Sequence, residues 1–323
     1  MTAFVLSVAL TVAPTVLPDV ERLQNGVNAA RTKAIEYLKK AQNAQGTWEG
    51  TVVGFLVDMD GGSTALVVLA LFEAGLAAND PALAKAIEYI EKLEPKKTYV
   101  VSLQAQVLAR VDAKKYAKQI QVNADWLLKT AIKKDGQLEG WSYPQNQIAD
   151  GSNTHFAVVG LHAAVSAGAK VDPKVWDQIG DLYVRTQGKD GGWPYYSDGN
   201  ASSSVNMTGA ALVGLTTTAS YGPEAKKRVA FEAGMAAYLD MGIESPKSTA
   251  YHLMVIAKLG RLLDVTTFET EKKSRTWYRH GAEKLLKEQK ADGSWVFGRQ
   301  VDATPHLATA FALYFLGPPP AKK

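Results

Sequence analysis

Residues Gln187 to Leu215 read QGKDGGWPYYSDGNASSSVNMTGAALVGL. The stretch opens on Gln187, Gly191 and Trp193, loosens into a polar loop, and ends in small apolar residues. Its opening recurs. Gln42, Gly46 and Trp48, and again Gln289, Gly293 and Trp295, keep the same Q-x3-G-x-W spacing. A fourth copy, TAIKKDGQLEGW, ends at Trp141, with Ala131 in the place of Gln and a longer loop.

The tryptophans set a period. Trp48 to Trp141 is 93 residues, Trp141 to Trp193 is 52, and Trp193 to Trp295 is 102. These are two, one and two steps of about fifty residues, the signature of a repeat architecture. Two further copies are expected near residues 94 and 244, where EKLEPKKTYV and YLDMGIESPKSTA make shorter, degenerate turns, so six units result.

Each unit reads as two helices. In the first, Val27, Ala30, Ala34, Leu38 and Ala41 share one stripe while Arg31, Lys33, Lys39 and Lys40 lie elsewhere, the pattern of a helix buried on one face. The stretches around Trp176–Tyr183 and Trp277–Leu286 behave alike. The second helix is apolar nearly all round, as in STALVVLALFEAG, NTHFAVVGLHAAVSAG and ATPHLATAFALYFLG. Most of these open on Ser, Thr or Asn, which suit an N-cap, and several close on Gly, which suits a C-cap. No alternating strand runs compete. The expected fold is all-α: an α/α toroid of six helical hairpins, apolar helices forming an inner ring and amphipathic ones an outer ring. Closure buries the terminal hairpins, whereas the alternative, an open solenoid, needs polar caps. One continuous core over residues 21–317 then accounts for most of the 323 residues without a linker.

Composition narrows the chemistry. There is no cysteine, which excludes disulfides, thiol nucleophiles and zinc sites that need a thiolate. Thirty-six Lys and Arg against 32 Asp and Glu leave a formal charge of +4. The basic residues are scattered without a long block, so a solvated face is expected and no nucleic-acid partner. The start, MTAFVLSVALTVAPTVLPDVERL, carries an apolar run from Ala3 to Val12, too short to span a bilayer, where about 20 residues are needed. Residues 1–20 are read as a signal peptide or disordered N-terminus, implying export. Residues 318–323, including PPPAKK, are read as a tail.

The repeated Q-x3-G-x-W resembles the QW motif of squalene–hopene cyclases and the wider squalene cyclase/protein prenyltransferase repeat family. DGSNTHFAVVGLHAA and DGGWPYYSDGNASSSVNMTGAALVGL resemble uncharacterised exported bacterial members of that family, and the likeness covers roughly residues 27–317. It implies the toroid. It implies activity only weakly, because one fold hosts cyclases, transferases and proteins of other kinds. Gln42/Trp48, Gln187/Trp193 and Gln289/Trp295 are expected to be structural: Gln bonding backbone groups at a helix end and stacking on the indole, Gly allowing the turn.

The family's cyclases protonate an alkene with an Asp from a D-x-D-D-T-A motif. The nearest match here is DMDGGSTA, Asp58 to Ala65. Aligned on Thr64 and Ala65, it keeps Asp60 at the first Asp position but places Gly62 and Ser63 where the last two belong, so the acid itself is missing. DGSNTH, from Asp150 to His155, departs similarly. The prenyltransferase zinc site cannot be assembled without cysteine. His155 and His162 stand seven apart, about 10 Å along a helix, too far to share a metal. His155, His252 and His306 follow inner-helix starts and gather only if those starts converge at one mouth.

Glycoside hydrolases and polysaccharide lyases also use helical toroids, and they need paired carboxylates with aromatics for sugar stacking. Asp58, Asp60, Asp150, Asp198 and Asp302 stand at or beside loops entering inner helices, with Trp141, Tyr143, Tyr195 and Tyr196 near some of them. The candidate catalytic residues are therefore Asp58, Asp60 and Asp150, and the candidate ligand-binding residues His155, Tyr195, Tyr196, His252, His306 and Trp141. The plainer account is that Asp and His at such places are turn, cap and helix-end residues.

The leading expectation is a binding scaffold with a central cavity for an apolar, isoprenoid-like ligand, lacking the cyclase acid and the zinc cysteine. A glycan-active hydrolase or lyase and a divergent terpene cyclase are the alternatives, with a protein partner as a third kind of role. No cofactor or metal is expected. The small residues of MTGAALVGL could fill the centre or leave it open.

Overall fold

The computed structural model describes residues 18–49, 59–143, 145–196, 202–222, 225–243, 250–298 and 300–320. Among them, helices come in six pairs. These are α1 (Pro18–Ala41) with α2 (Gly62–Glu73), α3 (Pro81–Glu91) with α4 (Thr98–Asp112), and α5 (Ala117–Lys129) with α6 (Gly151–Ser166). The chain continues with α7 (Lys174–Thr186) and α8 (Val205–Ala219), α9 (Ala225–Asp240) and α10 (Ala250–Leu262), and α11 (Trp277–Glu288) and α12 (Pro305–Phe315). Residues 1–17 of the expected leader, and 321–323 of the tail, lie outside the described residues; α1 already begins at Pro18.

The even-numbered helices touch in order, α2 to α4, α6, α8, α10 and α12, and α12 returns to α2. Outside them α1 packs on both α11 and α12, joining the first unit to the last. The molecule is thus a closed α/α toroid, and the open solenoid is excluded by the α12–α2 contact.

Burial follows the two textures of the sequence. Every residue of α2 from Gly62 to Phe72 is buried, as a helix enclosed by two ring neighbours and an outer helix must be. In α5 only Ile120, Asn123, Ala124 and Leu127 are buried, the single face expected of an amphipathic helix. The small residues of α8 serve packing against the outer ring. A Cβ on Gly209 would lie 3.0 Å from Tyr238, and one on Gly214 only 2.2 Å from the Tyr183 ring.

Each Q-x3-G-x-W turn makes the same set of bonds. The Gln amide donates to the carbonyl of its own turn and to the next outer helix: Gln42 to Gly46 O and Ala82 O, Gln187 to Gly191 O and Ala230 O. Gln289 donates to Gly293 O at 3.0 Å and to Ala30 O at 2.9 Å, bonding the last turn to the first helix. The helix-end carbonyl goes to the indole instead: Trp48 to Leu38 O, Trp141 to Leu127 O, Trp193 to Tyr183 O and Trp295 to Leu285 O. Gly293 sits at φ 90°, with Lys33 O where a Cβ would come within 2.4 Å, so a side chain there meets both backbone strain and a clash.

Thr304 stands at the N-cap of α12 as expected, but four other inner-helix threonines do different work. Thr64, Thr154, Thr208 and Thr309 lie inside the first turns, and each Oγ1 accepts the backbone N–H of a tryptophan, Trp48, Trp141, Trp193 and Trp295 respectively, at 3.0–3.1 Å. The caps are Asp150 for α6 and Ser204 for α8, one or more residues earlier.

Two short antiparallel ribbons were not expected. β1 (Ile132–Lys134) pairs with β2 (Gln137–Gly140), and β3 (Phe268–Glu269) with β4 (Ser274–Arg275). The first is turned by Asp135 and Gly136 at φ 50° and 79°, the Asp-Gly pair that a tight hairpin favours. No helix among the described residues is long and apolar enough to cross a membrane.

Candidate functional site in the toroid lumen

Residues from the first two turns of all six inner helices line one cavity of about 330 Å³, so the six run parallel with their N-termini at one mouth. Pairs four apart present the same face: Gly62 and Leu66 on α2, Tyr99 and Leu103 on α4, Ser152 and Phe156 on α6, Leu307 and Phe311 on α12. Asn206 and Met207 of α8 and Tyr251 of α10 complete the ring, and Met59, Tyr143, Tyr195, Ser204, Val301 and Asp302 come from the loops.

One wall is aromatic. The Tyr99 ring lies 4.3 Å from Phe156 and 6.0 Å from Tyr143, and Phe156 lies 6.2 Å from Tyr251. Burial pushes the hydroxyls of Tyr99 and Tyr251 well above the usual phenol range, and that of Tyr195 upward too, so all three remain neutral donors. Tyr251 is anchored from behind by His155, whose Nδ1 lies 2.8 Å from the hydroxyl. Complete burial, with the nearby Lys258 charge adding to it, lowers the His155 pKa to about 3.

The lumen closes below this level. Lys258 stands seven residues after Tyr251 on α10 and donates to Gln106 Oε1 at 3.1 Å. Gln106 stands seven after Tyr99 on α4, the inner helix opposite α10 in the ring order. Seven residues are two turns, about 10 Å of axis, so this polar bridge crosses the lumen beneath the aromatic wall.

Asp302 is the one carboxylate among the described lining residues. It lies in a short 3₁₀ turn, Gln300–Ala303, ahead of α12. Burial raises its pKa above the ordinary carboxylate value, and the Ala250 N–H it accepts at the start of α10 offsets part of that rise.

The residues singled out from sequence scatter across these surroundings. Asp150 is buried and stands behind the lining. Its carboxylate accepts from Ser142 Oγ, Ser152 Oγ, and both the backbone N–H and side-chain amide of Asn153, at 2.7–2.9 Å. Ser152 Oγ is also 3.1 Å from the Tyr195 hydroxyl, so the cavity reaches Asp150 through that pair. Asp60 is exposed in the turn before α2. Asp58 and Asp198 lie outside the described residues. Beside Asp60, Glu49 accepts the Thr64 N–H at 2.9 Å, and burial raises its pKa.

Tyr195 lines the cavity, and Tyr196, 41% exposed, meets it edge-on with ring centres 4.8 Å apart. Trp141 is buried in its turn, its indole committed to Leu127 O. His252 is buried, its Nε2 lying 3.4 Å from the Tyr238 hydroxyl, and burial lowers its pKa to about 4. His306 is half-buried at the start of α12, with a pKa also lowered by burial. Among the described residues no three His, Asp or Glu side chains come together as a metal site.

Sequence reading missed Tyr99, Phe156, Tyr251 and Phe311. Their signal was the i, i+4 pairing at the start of each inner helix, which helices apolar all round do not make conspicuous.

The class this architecture defines is the closed α/α toroid, and solved structures of that class share it. The type II terpene cyclase MstE from Scytonema superposes with a TM-score of 0.62 at 16% identity, covering 91% of this chain and 97% of its own. A single-substitution variant of MstE is also known in complex with the substrate geranylgeranyl dihydroxybenzoate. A possible GH105-family member from Salmonella enterica matches with a TM-score of 0.60 at 13% identity over 98% of both chains. The GH76A α-1,6-mannanase from a Salegentibacter species matches with a TM-score of 0.60 at 9% identity, covering 90% of this chain and 98% of its own. Identities this low establish the fold alone. No protein-family model matches the sequence, and neither does any curated protein.

Proposed function

We propose that this protein binds a small, predominantly apolar molecule of isoprenoid character in the lumen of the toroid. The observation that carries the reading is the lining itself: Leu66, Leu103, Phe156 and Phe311, one turn below the helix starts, form its depth, while tyrosine hydroxyls and Ser152 stand nearer the mouth beside Met207 and Leu307. A largely apolar cleft with a few convergent polar groups is the usual form of a small-molecule site, and about 330 Å³ falls at the lower end of the usual range of about 300–1,000 Å³. A chain with an apolar tail and one polar end matches that gradient. A glycan-active reading needs two facing carboxylates about 5–10 Å apart. Asp302 alone among the described lining residues supplies one, so that reading has less support.

Farnesol is a suitable probe. Native mass spectrometry and calorimetric titration are expected to give a one-to-one complex that is lost in Leu103→Trp, a variant that fills the cavity. Absence of binding, or equal binding by the filled variant, would overturn the proposal. Binding of an oligosaccharide in place of farnesol would favour the glycan reading.

A further inference from the structure

The polarity of the cavity can be read more finely than its apolar character. Tyr99, Tyr143, Tyr195, Tyr251, Phe156 and Phe311 present rings to it, and an aromatic face carries negative electrostatic potential. No lysine, arginine or histidine is among the described lining residues, whereas the carboxylate of Asp302 is. That carboxylate accepts the N–H of Ala250, the residue before Tyr251, so acid and ring belong to one wall. The one cation on the lumen face of α10, Lys258, lies two turns deeper and is held by Gln106.

We propose that the lumen prefers a ligand whose polar end is an organic cation, a tertiary or quaternary amine, seated between Asp302 and the tyrosine rings with its apolar tail toward Phe311 and Leu103. The proposal rests on the lumen being an apolar binding site and adds the chemistry of the head group. Cation–π contact with several rings supplies the selectivity. An anionic head is disfavoured because it meets Asp302 directly.

The parallel inner helices work against this preference, because each N-terminus at the mouth carries roughly half a positive charge. Three of those ends are offset by a full carboxylate: Glu49 accepts from Thr64 N on α2, Asp150 from Asn153 N on α6, and Asp302 from Ala250 N on α10. Over all six ends the three carboxylates roughly balance the dipoles, so the preference at the head-group position is set locally by Asp302 and the rings beside it. Lys258 at the far end adds direction, since a cationic head is driven away from it and toward the mouth.

The test compares two probes with one tail: farnesol and N,N-dimethylfarnesylamine, the latter cationic near neutral pH. Calorimetric titration is expected to show the amine binding at least about tenfold more tightly, a difference of about 1.4 kcal/mol. Asp302→Asn, which keeps an acceptor for Ala250 N, is expected to abolish that advantage, the amine and the alcohol then binding within about twofold of each other. Tyr251→Leu is expected to weaken the amine more than the alcohol. Circular dichroism and a cooperative thermal transition, read without ligand, show that each variant is folded. Equal affinities in the native protein, or an advantage that survives Asp302→Asn, overturn the cation preference and leave the apolar site standing. If farnesol itself does not bind, the apolar site falls and this inference falls with it.

Discussion

Nδ1 of His155 lies 2.8 Å from the hydroxyl of Tyr251, so a ring that faces the cavity is held by an imidazole that is itself wholly buried. Burial keeps that imidazole neutral, with a pKa lowered to about 3, and His252 behaves alike at about 4. The unfolded chain takes up a proton on each near its ordinary value of 6.5. Stability is therefore full above that value and declines as pH falls from there toward the folded values, by up to about 1.4 kcal/mol per pH unit for each imidazole. Urea midpoints measured between about pH 7.5 and about pH 5.5, where most carboxylates remain ionised, are expected to fall. The fall should be shallower in His155→Leu. A flat profile in the native protein would contradict the burial of both rings.

Thr208 Oγ1 accepts the Trp193 backbone N–H at 3.0 Å, and both residues are buried. Thr208→Val keeps the shape and removes the acceptor, leaving a buried donor unpaired at a cost of about 1–3 kcal/mol. Thr208→Ser restores the acceptor and should recover most of that loss, which chemical denaturation of the two variants will show. If the valine and serine variants are equally destabilised, packing of the Thr methyl matters as much as the bond, and a larger loss in serine would mean that it matters more.

Gln289 joins the last turn to the first outer helix through Gly293 O and Ala30 O. Gln187 makes the same pair of bonds within the middle of the chain, to Gly191 O and Ala230 O. Either residue changed to Leu strands two part-buried carbonyls, for a loss of about 1–3 kcal/mol by denaturant midpoint. Only Gln289→Leu loosens the contact between the chain's two ends. Hydrogen exchange in α1 and α11 should therefore quicken in that variant and not in Gln187→Leu. Equal exchange in both would mean that closure rests on the packing of α1 against α12.

The toroid was legible because its turns repeat a chemical solution. A glycine at positive φ, an indole closing a helix end and an amide reaching the next helix all need particular residue types at a fixed spacing, and Trp48, Trp193 and Trp295 preserve it. Where another residue does the work, the repeat fades. After α3 the carbonyls of Ile90 and Leu93 are taken by Gln104, which lies on the inner helix α4 and is supported by Asn123. The bonds persist there while the spacing does not. The cavity was less legible, because its lining is drawn from all six units and depends on which face of each apolar helix turns inward. Asp150 had the composition of an active residue, yet its four donors could be recognised only once Ser142 was brought beside it from the preceding loop.

The bridge from Lys258 to Gln106 places a positive charge within the lower lumen, and two imidazoles respond to it. His162, whose Nδ1 lies 2.8 Å from the Tyr221 hydroxyl, has its pKa lowered first by burial and then by Lys258; the same two causes act in that order on His155. Lys258→Met keeps a long side chain and removes the charge. Burial is left in place, so the His162 pKa should rise toward, without reaching, the ordinary value, and His155 should move in the same direction. Methionine cannot donate to Gln106, so a modest loss of stability accompanies the change and is measured separately by denaturation. An NMR titration of the ring protons reads the pKa directly. A His162 pKa unchanged or lowered in the variant would show that the ammonium group is screened from the ring, and that the charge stays with Gln106 on the opposite side of the lumen.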